Sequence, residues 1–124
     1  MEGYSVNIRE VSRSISAKER VMLKDTTNAI SLDEITQEGK FIFEPAYYAI
    51  LDVHNEKSDD KDYVKYIIVD KAGTKLVTGS ESFFTSFKSI MDEMEDCEEE
   101  FSIEVYRMPS KNYKGKEFIT CSIV

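Results

Sequence analysis

The chain has no tryptophan, one histidine and two cysteines among 124 residues. Each shortage closes off a kind of chemistry. The single imidazole, His54, has nothing near it in sequence that completes a triad or a metal set. Cys97 and Cys121 form neither a CxxC pair nor a metal spacing, so no disulfide framework is expected and both should be reduced. A run of about 18 apolar residues is missing, as is any signal-peptide pattern, which leads to the expectation of a cytoplasmic protein with no membrane partner. There is no Walker loop and no GxGxxG, and Lys114-Gly115-Lys116 is too short to cradle a triphosphate. Asp59, Asp60 and Asp62 make half of a calcium loop without its central glycine or closing glutamate. The sequence therefore reads as a non-enzyme with no metal and no cofactor.

Hydrophobic residues make up 41% and charged residues 32%, the balance of a globular protein of a size that fits one domain, 1–124. The net charge is −8, from 24 acids against 16 bases. That sum argues against a simple basic nucleic-acid binder, but its distribution is uneven. Asp92 to Glu100 holds seven acids and no base; without it the balance is 17 to 16. Local patches steer ligands more than the sum does.

The order of elements follows from periodicity. Tyr4, Val6 and Ile8 alternate as a first strand. Ser16-Ala-Lys-Glu19 fits a capping box ahead of Val21, Met22 and Leu23 and predicts a short helix, with a strand over 20–24 as the competing reading. Residues 46–54 predict a strand with Tyr47, Ala49, Leu51 and Val53 on one face and Tyr48, Ile50, Asp52 and His54 on the other. Strands over 63–69 and 74–78 flank the turn Asp70-Lys-Ala-Gly73. Phe83, Phe84, Phe87, Ile90, Met91 and Met94 recur at helical spacing after Gly79-Ser-Glu-Ser82, a core-facing stripe that should end near Asp96. Strands over 101–107 and 117–123 close the chain. There is no βαβ rhythm. The expectation is a mostly β fold with one main α-helix, either a small barrel of the oligonucleotide-binding (OB) type or a curved antiparallel sheet.

The last hairpin carries the strongest functional signal. Arg107, Lys111, Lys114 and Lys116 bring four positive charges and no negative one to residues 107–116, with Tyr106, Tyr113 and Phe118 among them. Cations neutralise phosphates and aromatic rings stack on bases, a combination that binds single strands with little regard for sequence. Lys111, Lys114, Lys116 and Arg107 are the candidate phosphate contacts. Tyr113, Tyr106 and Tyr48 are the candidate stacking residues. Lys18, Arg20 and Lys24, in a second basic cluster, would extend the electrostatic track. The plain alternative is a lysine-rich solvated turn between two ordinary strands.

Several segments resemble a family of small single-stranded DNA-binding proteins from Gram-positive phages and mobile elements. They are Lys18-Glu-Arg-Val-Met-Leu-Lys-Asp25, the strand from Tyr48 ending in His54-Asn-Glu56, Val69-Asp-Lys-Ala-Gly73, Thr78-Gly-Ser-Glu-Ser-Phe-Phe84 and Ser110-Lys-Asn-Tyr-Lys-Gly-Lys-Glu-Phe-Ile-Thr-Cys121. The resemblance implies an OB-like fold, no catalysis, and the coating of single strands during phage or plasmid replication. Protection of the strand during recombination and self-association along it are further expectations. The chain departs from the housekeeping bacterial type, whose acidic tail ends in an apolar tip; here the acidic run is internal. A rival reading also fits the charge: an acidic phage-encoded protein that inhibits a host protein, as a mimic of DNA.

Overall fold

The structure is a computed structural model that describes residues 3–110 and 115–124. Among the described residues, eight strands and three helices follow in the order β1 (Tyr4–Val11), α1 (Ala17–Lys24), β2 (Ile30–Ser31), α2 (Leu32–Ile35), β3 (Phe41–Phe43), β4 (Pro45–Asn55), β5 (Asp62–Asp70), β6 (Lys75–Thr78), α3 (Glu81–Met94), β7 (Ile103–Pro109) and β8 (Glu117–Ile123). The fold is mostly β with one main helix, and its sheets are curved, antiparallel and not closed into a barrel. Of the two expected forms, the open curved sheet is the one realised. The sequence reading assigned no element to 26–44, where β2, α2 and β3 are each too short to show a period. The chain divides into two compact units, Met1–Ile30 with Ala46–Gly79, and Ser31–Pro45 with Ser80–Val124.

In the first unit the long strand β4 is the organising element. The five-stranded sheet runs β1-β4-β5-β6-β2. β1 pairs antiparallel with β4, Tyr4 opposite Asn55 and Val11 opposite Ala49, with a bulge between Ile8 and Glu10. Alternation along β4 sends Tyr47, Ala49, Leu51 and Val53 into a core with Ile67, Val69 and Leu23. The helical reading of 17–24 prevails over the strand because the capping box closes. The Ser16 hydroxyl accepts from the Glu19 N–H at 3.1 Å, and the Glu19 carboxylate accepts from the Ser16 N–H at 3.0 Å. That backbone donor holds the Glu19 carboxyl below its usual range. Of the apolar triplet in α1 only Leu23 enters the core; Val21 and Met22 stay exposed. The β5–β6 turn is fixed by the Asp70 carboxylate, which accepts from Ala72 (3.0 Å) and Thr74 (2.8 Å), and by Gly73 at φ +88°, a region other side chains rarely adopt.

The second unit sets α3 against a three-stranded sheet ordered β3-β7-β8. Ser80 caps α3 by accepting from the Phe83 N–H at 3.3 Å. Phe83, Phe84 and Phe87 are buried as their spacing predicts. Phe87 gathers the others, with ring centroids 6.1 Å from Phe83, 6.0 Å from Phe84 and 6.3 Å from Phe43 of β3. The registers place Phe43 opposite Ile103, and Ile103 opposite Ile123, with Val105 opposite Cys121 and Arg107 opposite Ile119. Those residues therefore share the inner face of the sheet. Cys97 and Cys121 are free, and burial pushes the Cys121 thiol up to about 11.

Truncating Phe87 to alanine should cost about 3–5 kcal/mol, because its ring is fully buried and its neighbours cannot all collapse into the void. Val21→Ala, at an exposed site, should stay within about 0.5 kcal/mol. Urea unfolding of both variants checks the contrast; equal midpoints would take Phe87 out of the core.

Candidate nucleic-acid interface

The same alternation that fills the inner face defines an outer one. On β7 the residues between the buried positions are Glu104, Tyr106 and Met108; on β8 they are Phe118, Thr120 and Ser122; on β3 it is Ile42. Met108 and Phe118 stand directly opposite each other and remain 43% and 42% exposed. Ile42 is 57% exposed. Tyr106 is half-buried, and its hydroxyl lies 2.7 Å from the Ser122 Oγ, which fixes the ring over the neighbouring strand. The Lys40 ammonium sits 5.8 Å from the Tyr106 ring centroid and 3.1 Å from a Glu104 carboxylate oxygen. The result is an apolar and aromatic platform with a cation set into it. At the turn end Gly115 takes φ +82° and Lys116 is exposed.

The sequence-predicted residues divide on this geometry. Tyr106 and Lys116 belong to the hairpin as expected. Lys111, Tyr113 and Lys114 lie outside the described residues. Arg107 is a correction. It is opposite Ile119 on the inner face, where its guanidinium donates to the Asp33 carbonyl and its Nε is buried without a partner among the described residues. A guanidinium so placed ties the chain of α2 to β7, on the side of the sheet opposite Tyr106. Tyr48 is a second correction. It is 6% exposed, and its backbone is tied to the end of β1 by paired bonds with Ser12 at 2.9 Å each, so it is a core residue with no free ring face for a base. Lys18, Arg20 and Lys24 are exposed on α1, in the first unit. The hairpin lies in the second.

Three residues of the platform were missed. Lys40, Ile42 and Met108 come together only through strand register. The alternation Phe41-Ile-Phe43 ahead of Pro45 was the available sign of a strand there. Charge is also partitioned. The first unit holds ten bases and ten acids, and the second six bases and fourteen acids, so the whole net −8 falls on the unit that carries the platform. The acidic run from Glu95 to Glu100 is exposed throughout.

Elsewhere several charged groups pair with one another. On the first unit's sheet, Arg9 donates through Nε to Asp52 at 3.0 Å and through its second nitrogen to the other carboxylate oxygen. Arg13 stacks 4.0 Å from the Tyr47 centroid and reaches Glu19 at 3.2 Å. His54 sits between two carboxylates, Nδ1 to Asp62 at 2.7 Å and Nε2 to Glu56 at 2.6 Å. The two acids take opposite nitrogens, and among the described residues no group of three or more His, Cys, Asp or Glu could hold a metal ion. Nor is any described helix long and apolar enough to cross a membrane. No protein-family model, no curated protein and no solved structure matches the chain.

Donating to both carboxylates requires N–H on both ring nitrogens, which only the imidazolium has. The bond to Asp62 first, and that to Glu56 second, raise the His54 pKa above its ordinary 6.5. A raised folded-state value means stabilisation that is fully present below pH 6.5 and lost as pH rises through the folded pKa. An NMR titration of the imidazole should give a midpoint above 6.5 that falls in Asp62→Asn. A parent midpoint at or below 6.5 would refute the pairing.

Proposed function

We propose that the protein binds single-stranded DNA, with little sequence preference and without catalysis, on the outer face of the β3-β7-β8 sheet. The observation that carries this reading is the cross-strand pair Met108 and Phe118, exposed on the same face as the pinned Tyr106 and next to Lys116. An apolar pair left in water on a strand surface loses the stabilisation that burial would give it, about 25 cal/mol per Å². Base stacking covers such a surface at about 1–3 kcal/mol per base. Tyr106 and Phe118 supply ring faces, and Lys40 and Lys116 supply charge, with Lys111, Tyr113 and Lys114 adding to both by sequence. Lys18, Arg20 and Lys24, exposed on α1 of the first unit, are proposed as further phosphate contacts. The resemblance to phage and mobile-element single-strand binders points the same way and suggests a role in replication or recombination in the host cytoplasm.

One observation favours the rival. A unit of net −8 with an exposed acidic run is a plausible surface for a basic host protein, as a mimic of DNA. An anisotropy titration with labelled single-stranded and duplex oligonucleotides separates the two. The DNA reading requires tighter binding to the single strand, with log K falling against log salt at about −0.7 per phosphate neutralised. Absence of binding at low salt, or equal affinity for duplex, would leave the rival in possession.

Side chains then divide the platform. Phe118→Ala should lose about 1–3 kcal/mol of affinity with the salt slope unchanged, as should Tyr113→Ala. Lys116→Ala and Lys114→Ala should each flatten the slope by about 0.7. Arg107→Ala should leave the slope alone and lower the melting temperature, since its guanidinium is committed to Asp33. A flattened slope in that variant would restore Arg107 as a phosphate contact.

A further inference from the structure

β8 ends its sheet: the order is β3-β7-β8, and among the described residues no strand pairs with its other side. Which groups face that open side follows from the ladder. Val124 and Ser102 exchange both backbone bonds, at 2.9 and 3.1 Å. Such pairs recur at every second residue of an antiparallel ladder, so Ser122, Thr120 and Phe118 bond to β7. Ile119, Cys121 and Ile123 then aim their N–H and C=O groups at the open edge. Natural edges of this kind are blunted by lysine, proline or a bulge. Residues 118–124 have no charged side chain and no proline, in a unit that is otherwise strongly acidic.

The residue pattern along this edge is symmetric about its centre. Phe118-Ile-Thr-Cys-Ser-Ile-Val124 reads apolar, apolar, polar, Cys121, polar, apolar, apolar. We propose that β8 pairs with β8 of a second copy of this chain, antiparallel about a two-fold axis through Cys121, in the absence of nucleic acid. In that register Ile119 meets Ile123 of the second copy, Thr120 meets Ser122, and Phe118 meets Val124. Every outward backbone group on 119, 121 and 123 gains a partner, because these residues fall opposite one another. Ile123 and Val124, 46% and 58% exposed, lose water on pairing. A two-fold axis perpendicular to the sheet keeps the outer faces of both copies on one side, so a six-stranded surface results.

Sedimentation equilibrium without nucleic acid tests this. The expected species has twice the 14.3 kDa chain mass, and the dimer tightens as salt rises, because the two acidic units repel less when screened. That sign is opposite to the one required of DNA binding, so failure of either reading is told from failure of the other. Ile123→Pro removes an edge-facing donor, and Ile123→Lys sets a charge where Ile119 of the second copy would pack. Either variant that keeps the parent's circular dichroism should sediment as a monomer. Ile42→Lys, on the opposite edge strand β3, should remain a dimer. A 14.3 kDa monomer at every concentration and salt would overturn the proposal. So would a dimer that survives both Ile123 substitutions, or one that Ile42→Lys dissolves.

Discussion

The contact between Phe43 and Phe87 fixes which way the small sheet faces. It joins β3 to α3 with ring centroids 6.3 Å apart, and Phe83 and Phe84 close around it. Once those rings are out of water, Ile103, Val105, Ile119 and Cys121 are committed to the same side by register. A strand has only two faces, and a slip of one residue would exchange them. The outer face is therefore the complement of the buried one. Tyr106, Met108, Phe118 and Ile42 fall on the outer face because the buried residues that alternate with them face α3.

Arg107 shows how strict that constraint is. Its neighbours in sequence, Tyr106 and Met108, lie on the outer face; Arg107 lies on the inner one, with its guanidinium against the carbonyl of Asp33. A cation in a basic run of sequence is thereby used for the interior of its unit. Among the described residues, the cations on the outer face are sparse and local: Lys40 between Tyr106 and Glu104, and Lys116 at the turn. With the unit at net −8, the outer face presents exposed apolar and aromatic side chains beside a few placed cations, and a long-range attraction for a polyanion is not expected of it.

The first unit settles its charges differently. Arg9 with Asp52, Arg13 with Tyr47 and Glu19, and His54 between Asp62 and Glu56 each close a local set. These pairs are surface interactions of modest individual worth. They leave α1 with Lys18, Arg20 and Lys24 as its exposed cations, on a helix held by the Ser16–Glu19 box and a single core residue, Leu23. The helix thus has one anchor in the core and turns its cations, with Val21 and Met22, to solvent.

The amino-acid order alone was enough for the elements with a strong local signal. The alternation over 46–54, the Phe stripe of 83–87, the capping box at Ser16 and the turns at Gly73 and Gly115 each depend on neighbours a few residues away. The short pieces β2, α2 and β3 were not legible, since two to four residues carry no period. Nor was the site legible beyond the hairpin itself. Sequence could group Arg107 with Tyr106 and lysines by proximity, but the pleat separates adjacent residues onto opposite faces, and only the packing of α3 says which face is inside. Tyr48 illustrates the same limit: a tyrosine on a strand is a platform or a core residue according to what lies against it, and here it is buried. Lys40 reaches Tyr106 from 66 residues away because β3 pairs with β7. Long-range register is a property of the folded chain, and it decided which side chains could act together.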